Sequence, residues 1–103
     1  MAADTLTFAV LYRWRLRAGL EDQFVDAWRD ITLTLLGRGG RGSRLHRGPD
    51  GVWYAYAQWP SEEARARAFD AQLEGDAMAR MRDAVEERFD EVPLQIVADL
   101  LRG

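Results

Sequence analysis

The chain has 103 residues, 48% of them hydrophobic and 30% charged, and carries a formal net charge of −3. This length suits one domain over residues 1–103 with an ordinary core, and the composition excludes a disordered chain. The lack of cysteine excludes disulfides, thiolate catalysis and zinc–sulfur sites, and the acidic balance gives no footing for nucleic acid or anionic membrane.

Residues 5–17 alternate, with Phe8, Val10, Tyr12, Trp14 and Leu16 on one side and Leu11, Arg13, Arg15 and Arg17 on the other, which is strand periodicity. Gly19 breaks that strand, and Glu21 and Asp22 place acids in the first turn of a helix, where its dipole favours them. Phe24, Ala27, Trp28, Ile31 and Leu35 then recur at helical spacing until Gly37. Arg38-Gly39-Gly40-Arg41-Gly42 reads as a flexible, solvated loop, and its likeness to a single RGG unit is a weak nucleic-acid signal in an acidic chain.

Ser43 to Arg47 reads as a short strand with Leu45 and His46 on opposite faces, and Gly48-Pro49-Asp50-Gly51 is turn chemistry that predicts a hairpin. The second arm is aromatic on both faces: Trp53, Ala55, Ala57 and Trp59 line one, and Val52, Tyr54, Tyr56 and Gln58 the other. Pro60 ends this arm, and Ser61, followed by Glu62 and Glu63, is a good helix N-cap. Ala64, Ala68, Phe69 and Leu73 form the expected buried stripe of that helix. After Gly75, Asp76 is placed to cap another helix carrying Met78, Met81 and Val85 on one side. A final strand is expected where Val92, Leu94, Ile96 and Ala98 alternate with their neighbours, with Pro93 confining its start to an edge or bulge.

The order β-α-β-β-α(α)-β predicts an α+β fold of the split βαβ, ferredoxin-like type, with a four-stranded antiparallel sheet and its helices on one face. The other sheet face would then expose more apolar surface than a monomer usually tolerates. The expectation is a homodimer formed face to face by two open sheets, in which burying each aromatic side chain contributes on the order of 2–3 kcal/mol.

Leu11-Tyr12-Arg13-Trp14-Arg15-Leu16-Arg17-Ala18-Gly19, an acidic turn and Phe24…Trp28 resemble the opening of the antibiotic biosynthesis monooxygenase domain. The block Gly42 to Phe69, with Trp59-Pro60-Ser61 leading into a helix, resembles that family's central hairpin and Trp-x-Ser helix start. The resemblance covers nearly the whole chain and implies a dimeric α/β barrel, often with a hydrophobic ligand held between sheet and helices. Members include cofactor-independent oxygenases that convert polycyclic phenols to quinones, haem-degrading enzymes and proteins without established activity. It also brings departures. Oxygen-activating members commonly use an asparagine, and this chain has none. The haem-degrading branch takes a histidine ligand from its later helices, where this chain reads Gly75-Asp76-Ala77-Met78-Ala79-Arg80-Met81.

Candidate chemistry narrows accordingly. His46 is the only histidine, the side-chain type whose ordinary pKa lies nearest neutrality, and it becomes the candidate general base for a phenolic proton, flanked by Arg44 and Arg47. Trp59 matches the family's strand-end tryptophan, and with Trp28, Phe24, Phe69 and Met78 it is expected to wall a pocket. Tyr54 and Tyr56 are candidate donors to a quinone oxygen or dimer contacts, and Arg13 and Arg15 are solvated, interfacial or anchoring groups. All fourteen basic residues are arginine, so no Schiff-base or P-loop lysine exists. One histidine without cysteine makes a metal site a poor fit. No signal peptide or apolar run of the roughly 20 residues that span a bilayer is visible, which gives a cytoplasmic expectation without membrane or nucleic-acid partners. The reading is a cofactor-free, monooxygenase-like protein acting on an aromatic or phenolic molecule. The alternative is a non-catalytic homodimeric module for an apolar ligand, or a dimerisation domain with a filled core.

Overall fold

The alternation along the first and third strands decides the architecture. A computed structural model of the protein describes residues 8–101; the start of the first expected strand, residues 5–7, lies outside the described residues. The elements are β1 (Phe8–Leu16), α1 (Glu21–Leu36), β2 (Ser43–Arg47), β3 (Trp53–Trp59), α2 (Glu62–Asp70), α3 (Ala77–Asp83), β4 (Val85–Arg88) and β5 (Val92–Gln95). The antiparallel sheet has the order β2-β3-β1-β4, and β5 also pairs with β1. β1 and β3 are in register from Phe8 opposite Trp59 to Trp14 opposite Trp53. Because side chains alternate across a strand, this register puts Tyr12, Trp14, Ala55, Ala57 and Trp59 on the helical face, and Leu11, Arg13, Tyr54 and Tyr56 on the open one.

Phe24 of α1, fully buried, wedges between Trp14 and Trp53 at centroid distances of 4.9 and 6.4 Å, both edge-on. It fixes α1 over one end of the sheet. The hairpin turn forms as expected: Gly48 N donates to Val52 O at 2.8 Å, and a Cβ on Gly48 would lie 2.6 Å from the Tyr54 ring. Ser61 caps α2 by accepting from Ala64 N at 3.0 Å. Among the described residues no helix is long and apolar enough to cross a membrane.

Several sequence expectations are corrected. The last helix stops at Asp83, and Val85, expected on its buried stripe, instead begins β4. Val85-Glu86-Glu87-Arg88 is not a strand-forming sequence by propensity. Its pairing with Trp14–Leu16 of β1, irregular at Arg15/Leu16, overrides that preference. The final strand is correspondingly short: β5 ends at Gln95, leaving Ile96 and Ala98 outside it. The fourth sheet position is thus shared by two short strands, and Pro93 takes its predicted edge position. Leu73 lies past the end of α2 but packs against Ala27, Ile31 and Ala77. Asp76 makes no capping hydrogen bond; its carboxylate accepts from Arg80 Nε at 3.0 Å.

The glycine-arginine segment is not a free loop. Arg38 donates to the backbone oxygens of Ala68, Ala71 and Gln72, tying the end of α2 to the end of α1. Arg41 N donates to Gln58 O and Gln58 N to Gly42 O, both at 2.9 Å, so the segment extends the β2–β3 ladder. The carbonyls at the end of α2 and the edge of β3 needed donors, and this segment supplies them.

Candidate functional site

Where Phe24 wedges the sheet, the layers touch; toward the Trp59 end they part. β3 presents Ala57 there, too small to fill the space beneath α1, and Trp59 at the strand end. The result is a cavity of about 570 Å³ between sheet and helices. Tyr12 and Trp14 of β1, Trp59 of β3, Trp28, Ile31 and Leu35 of α1, Phe69 of α2 and Met78 and Met81 of α3 make its wall chiefly apolar. Phe69 leans on Trp59 at a centroid distance of 5.9 Å, and Gly40 backs the tryptophan, where a Cβ would meet Trp59 Cζ3 at 3.2 Å. Trp59 Nε1 is buried with no acceptor among the described residues, an uncommon state for an indole donor.

Trp59, Trp28, Phe69 and Met78, four of the residues predicted to bind ligand, therefore share one cavity. Phe24 does not line it: the ring is consumed by the Trp14–Trp53 contact. Tyr54 and His46 stand opposite each other on the other sheet face. The Tyr54 hydroxyl donates to Asp50 at 2.9 Å; that bond holds the phenol above, and the Asp50 carboxyl below, its ordinary pKa, the Val52 amide acting first on Asp50. His46 is exposed, with Nδ1 3.2 Å from Tyr54 O. The two-residue period that turns Leu45 inward turns His46 outward, so it is not the base for anything held between sheet and helices.

The polar end of the cavity involves residues that sequence reasoning passed over. Tyr12 Oη accepts from Arg65 Nη2 at 2.8 Å and Nε at 3.2 Å, and Arg65 also donates to Glu91 Oε1 at 2.9 Å. Arg88 stands 3.7 Å from the other Glu91 oxygen. All four line the cavity, and Glu91 is the one carboxylate among the described lining residues. Burial raises the Tyr12 pKa, partly opposed by Arg65; burial works against the Arg65 charge, but Tyr12 and Glu91 outweigh it and hold the guanidinium above its usual value. Tyr12 is thus a neutral phenol whose oxygen is occupied by Arg65 and whose proton has no acceptor among the described residues. The available signal was Tyr12 itself: a tyrosine on the buried side of a strand needs a polar partner for its hydroxyl. Among the described residues no group of histidine, cysteine or acidic side chains is arranged to hold a metal ion.

No protein-family model matches the sequence, and no curated protein matches it as a relative. Solved structures do match in fold. A Chloroflexus aurantiacus protein described as a candidate antibiotic biosynthesis monooxygenase superposes with a TM-score of 0.77 at 14% identity, over 93% of this chain and 98% of its own. SnoaB, a cofactor-independent oxygenase from Streptomyces nogalater, gives 0.75 at 13% identity, over 92% and 97%. A dimeric ferredoxin-like protein from an uncultured marine organism gives 0.72 at 11% identity, over 97% and 96%. The chain has the fold of these antibiotic biosynthesis monooxygenase-like, ferredoxin-like proteins.

The Tyr12–Arg65 contact can be tested by titration. Because folding raises the Tyr12 pKa, the folded state holds that proton more tightly than the unfolded chain. Its contribution to stability is full below the ordinary value of 10.0 and is lost as pH rises through the higher folded value. Arg65→Met leaves burial unopposed and is expected to raise the Tyr12 pKa further, read as the ultraviolet phenolate signal that Tyr12→Phe removes. An unchanged or lowered pKa would show that Arg65 does not act on this phenol.

Proposed function

We propose that the protein binds an aromatic, phenolic small molecule in this cavity and oxygenates it without a cofactor. The observation that carries the reading is a single aromatic-walled space ending in one neutral phenol with a free proton. Cavities of a few hundred Å³ with few convergent polar groups are the usual form of small-molecule sites. Trp28, Trp59 and Phe69 stack on the ligand rings. Tyr12 donates to the ligand's phenolic oxygen, and Arg65 keeps that donor aimed and stabilises the negative charge that grows there. Glu91 takes the place as proton acceptor that the outward-facing His46 leaves.

For an anthrone-like phenol, loss of the proton gives an electron-rich carbanion–enolate that reacts with dioxygen. One oxygen atom becomes a new ring carbonyl and the other leaves as water with the two hydrogens of that carbon. The electrons balance without an external reductant. The fold shared with a cofactor-independent oxygenase supports this reading. The absence of a histidine from the cavity and of asparagine from the chain favours the second reading, a module that binds such a ligand without turning it over.

We also infer a homodimer through the open sheet face, closing a dimeric α/β barrel, in a cytoplasmic protein. Leu11, Tyr54, Tyr56, Val92 and Leu94 lie on that face, and the residues that follow β5 include the exposed apolar Val97, Leu100 and Leu101. Two arginines there already have contacts: Arg13 donates to Asp90 O at 3.1 Å and Arg15 lies 3.6 Å from Glu87. A structural neighbour described as dimeric supports the same arrangement.

Oxygen uptake with a panel of anthrone-like phenols, in chelator and without flavin, is expected to yield quinone, and Tyr12→Phe to lower kcat by about tenfold or more. Binding without uptake would replace oxygenation with the module reading. Sedimentation at micromolar concentration is expected to give a dimer that Tyr56→Glu dissociates; a monomeric unsubstituted protein would contradict the interface.

A further inference from the structure

The charge of the cavity wall is opposite to that of the chain. Three arginines, Arg65, Arg82 and Arg88, line it against one carboxylate, Glu91, so its ionised side chains sum to two positive charges in a chain of net charge −3. Glu91 has to serve two guanidiniums, Arg65 at 2.9 Å and Arg88 at 3.7 Å. Arg82 has no carboxylate partner among the described residues. Its neighbour in α3, Arg80, shows what a structurally committed arginine looks like here: it is paired with Asp30 at 2.9 Å and Asp76 at 3.0 Å. Arg82 lies in the last turn of α3 and Arg88 ends β4, so the two under-paired guanidiniums border the same cavity from consecutive elements.

We propose that the ligand carries an anionic group, a carboxylate or sulfonate, bound by Arg82 and Arg88 while its ring system lies against Trp28, Trp59 and Phe69. This rests on the cavity being the ligand site, as proposed above, and narrows the ligand class from phenols in general to anionic aromatic molecules. Guanidiniums bind carboxylates and sulfonates through charge-assisted, paired hydrogen bonds, and Arg82 and Arg88, both exposed to solvent, hold this anion site within reach of screening salt. Arg65 stays paired with Glu91 on one side and Tyr12 on the other, so the phenol and the anion site address different parts of one ligand.

Two fluorescent probes with matching ring systems separate the terms: anilinonaphthalene sulfonate and the neutral phenylnaphthylamine. The Arg82→Gln/Arg88→Gln double variant is expected to weaken the sulfonate about tenfold or more while leaving the neutral probe within about twofold. Added salt is expected to weaken only the sulfonate. Arg67→Gln, an exposed arginine outside the cavity wall, is the control and should change neither. Retained neutral-probe binding also shows that the double variant is folded. If both probes bind and the double variant weakens neither, or both equally, the anion site is overturned while the cavity reading stands. If neither probe binds the unsubstituted protein, the cavity reading falls and the anion site with it.

Discussion

The contact on which the rest depends is Phe24 between Trp14 and Trp53. It fixes α1 at one end of the β1–β3 pair, and the residues that follow along the strands decide what happens beyond it. Going toward Trp59, the helical face of β3 carries only Ala55 and Ala57 before the indole. A layer held over Ala55 by three large rings cannot also close onto Ala57; α1 and α3, which pack on each other through Ala27, Ile31 and Ala77, bridge the gap instead. The cavity follows from that size mismatch, with Trp59 and Phe69 as its far wall.

Much of this was legible because it is local. The strict alternation of β3, the Gly48–Gly51 turn and the Ser61 cap are written in residues that touch their neighbours in sequence. The placement of Trp28, Trp59, Phe69 and Met78 around one space also followed from which face each occupies. The polar end was not legible for the opposite reason. Tyr12 and Arg65 are 53 positions apart and Arg65 and Glu91 are 26 apart, so no local pattern joins them. β4 was missed because Glu86, Glu87 and Arg88 favour a helix until the edge of β1 is available to pair with them. His46 was misread by chemistry: being the only histidine made it the natural base, but the strand period had already turned it away from the helices.

The two sheet faces are mechanically joined. The stretch between β4 and β5 is held from the open face, where Phe89 N donates to Arg13 O at 3.1 Å, Arg13 donates to Asp90 O, and the guanidinium lies 5.6 Å from the Phe89 ring centroid. The next residue, Glu91, turns to the cavity and positions Arg65, which in turn positions Tyr12. A side chain on the face inferred to meet a second chain thus braces the segment that orders the polar end of the cavity.

Under the proposed function, ligand enters between sheet and helices rather than onto the open face. The indole N–H resonances report this directly, since Trp14, Trp28 and Trp59 line the cavity while Trp53 does not, lying instead between Phe24 and the Arg47 guanidinium 4.9 Å from its ring centroid. In nitrogen-edited spectra recorded during titration with phenylnaphthylamine, the Trp14, Trp28 and Trp59 indole signals are expected to move together and Trp53 to stay in place. Shifts confined to Trp53 and to the amides around His46 and Tyr54 would contradict it.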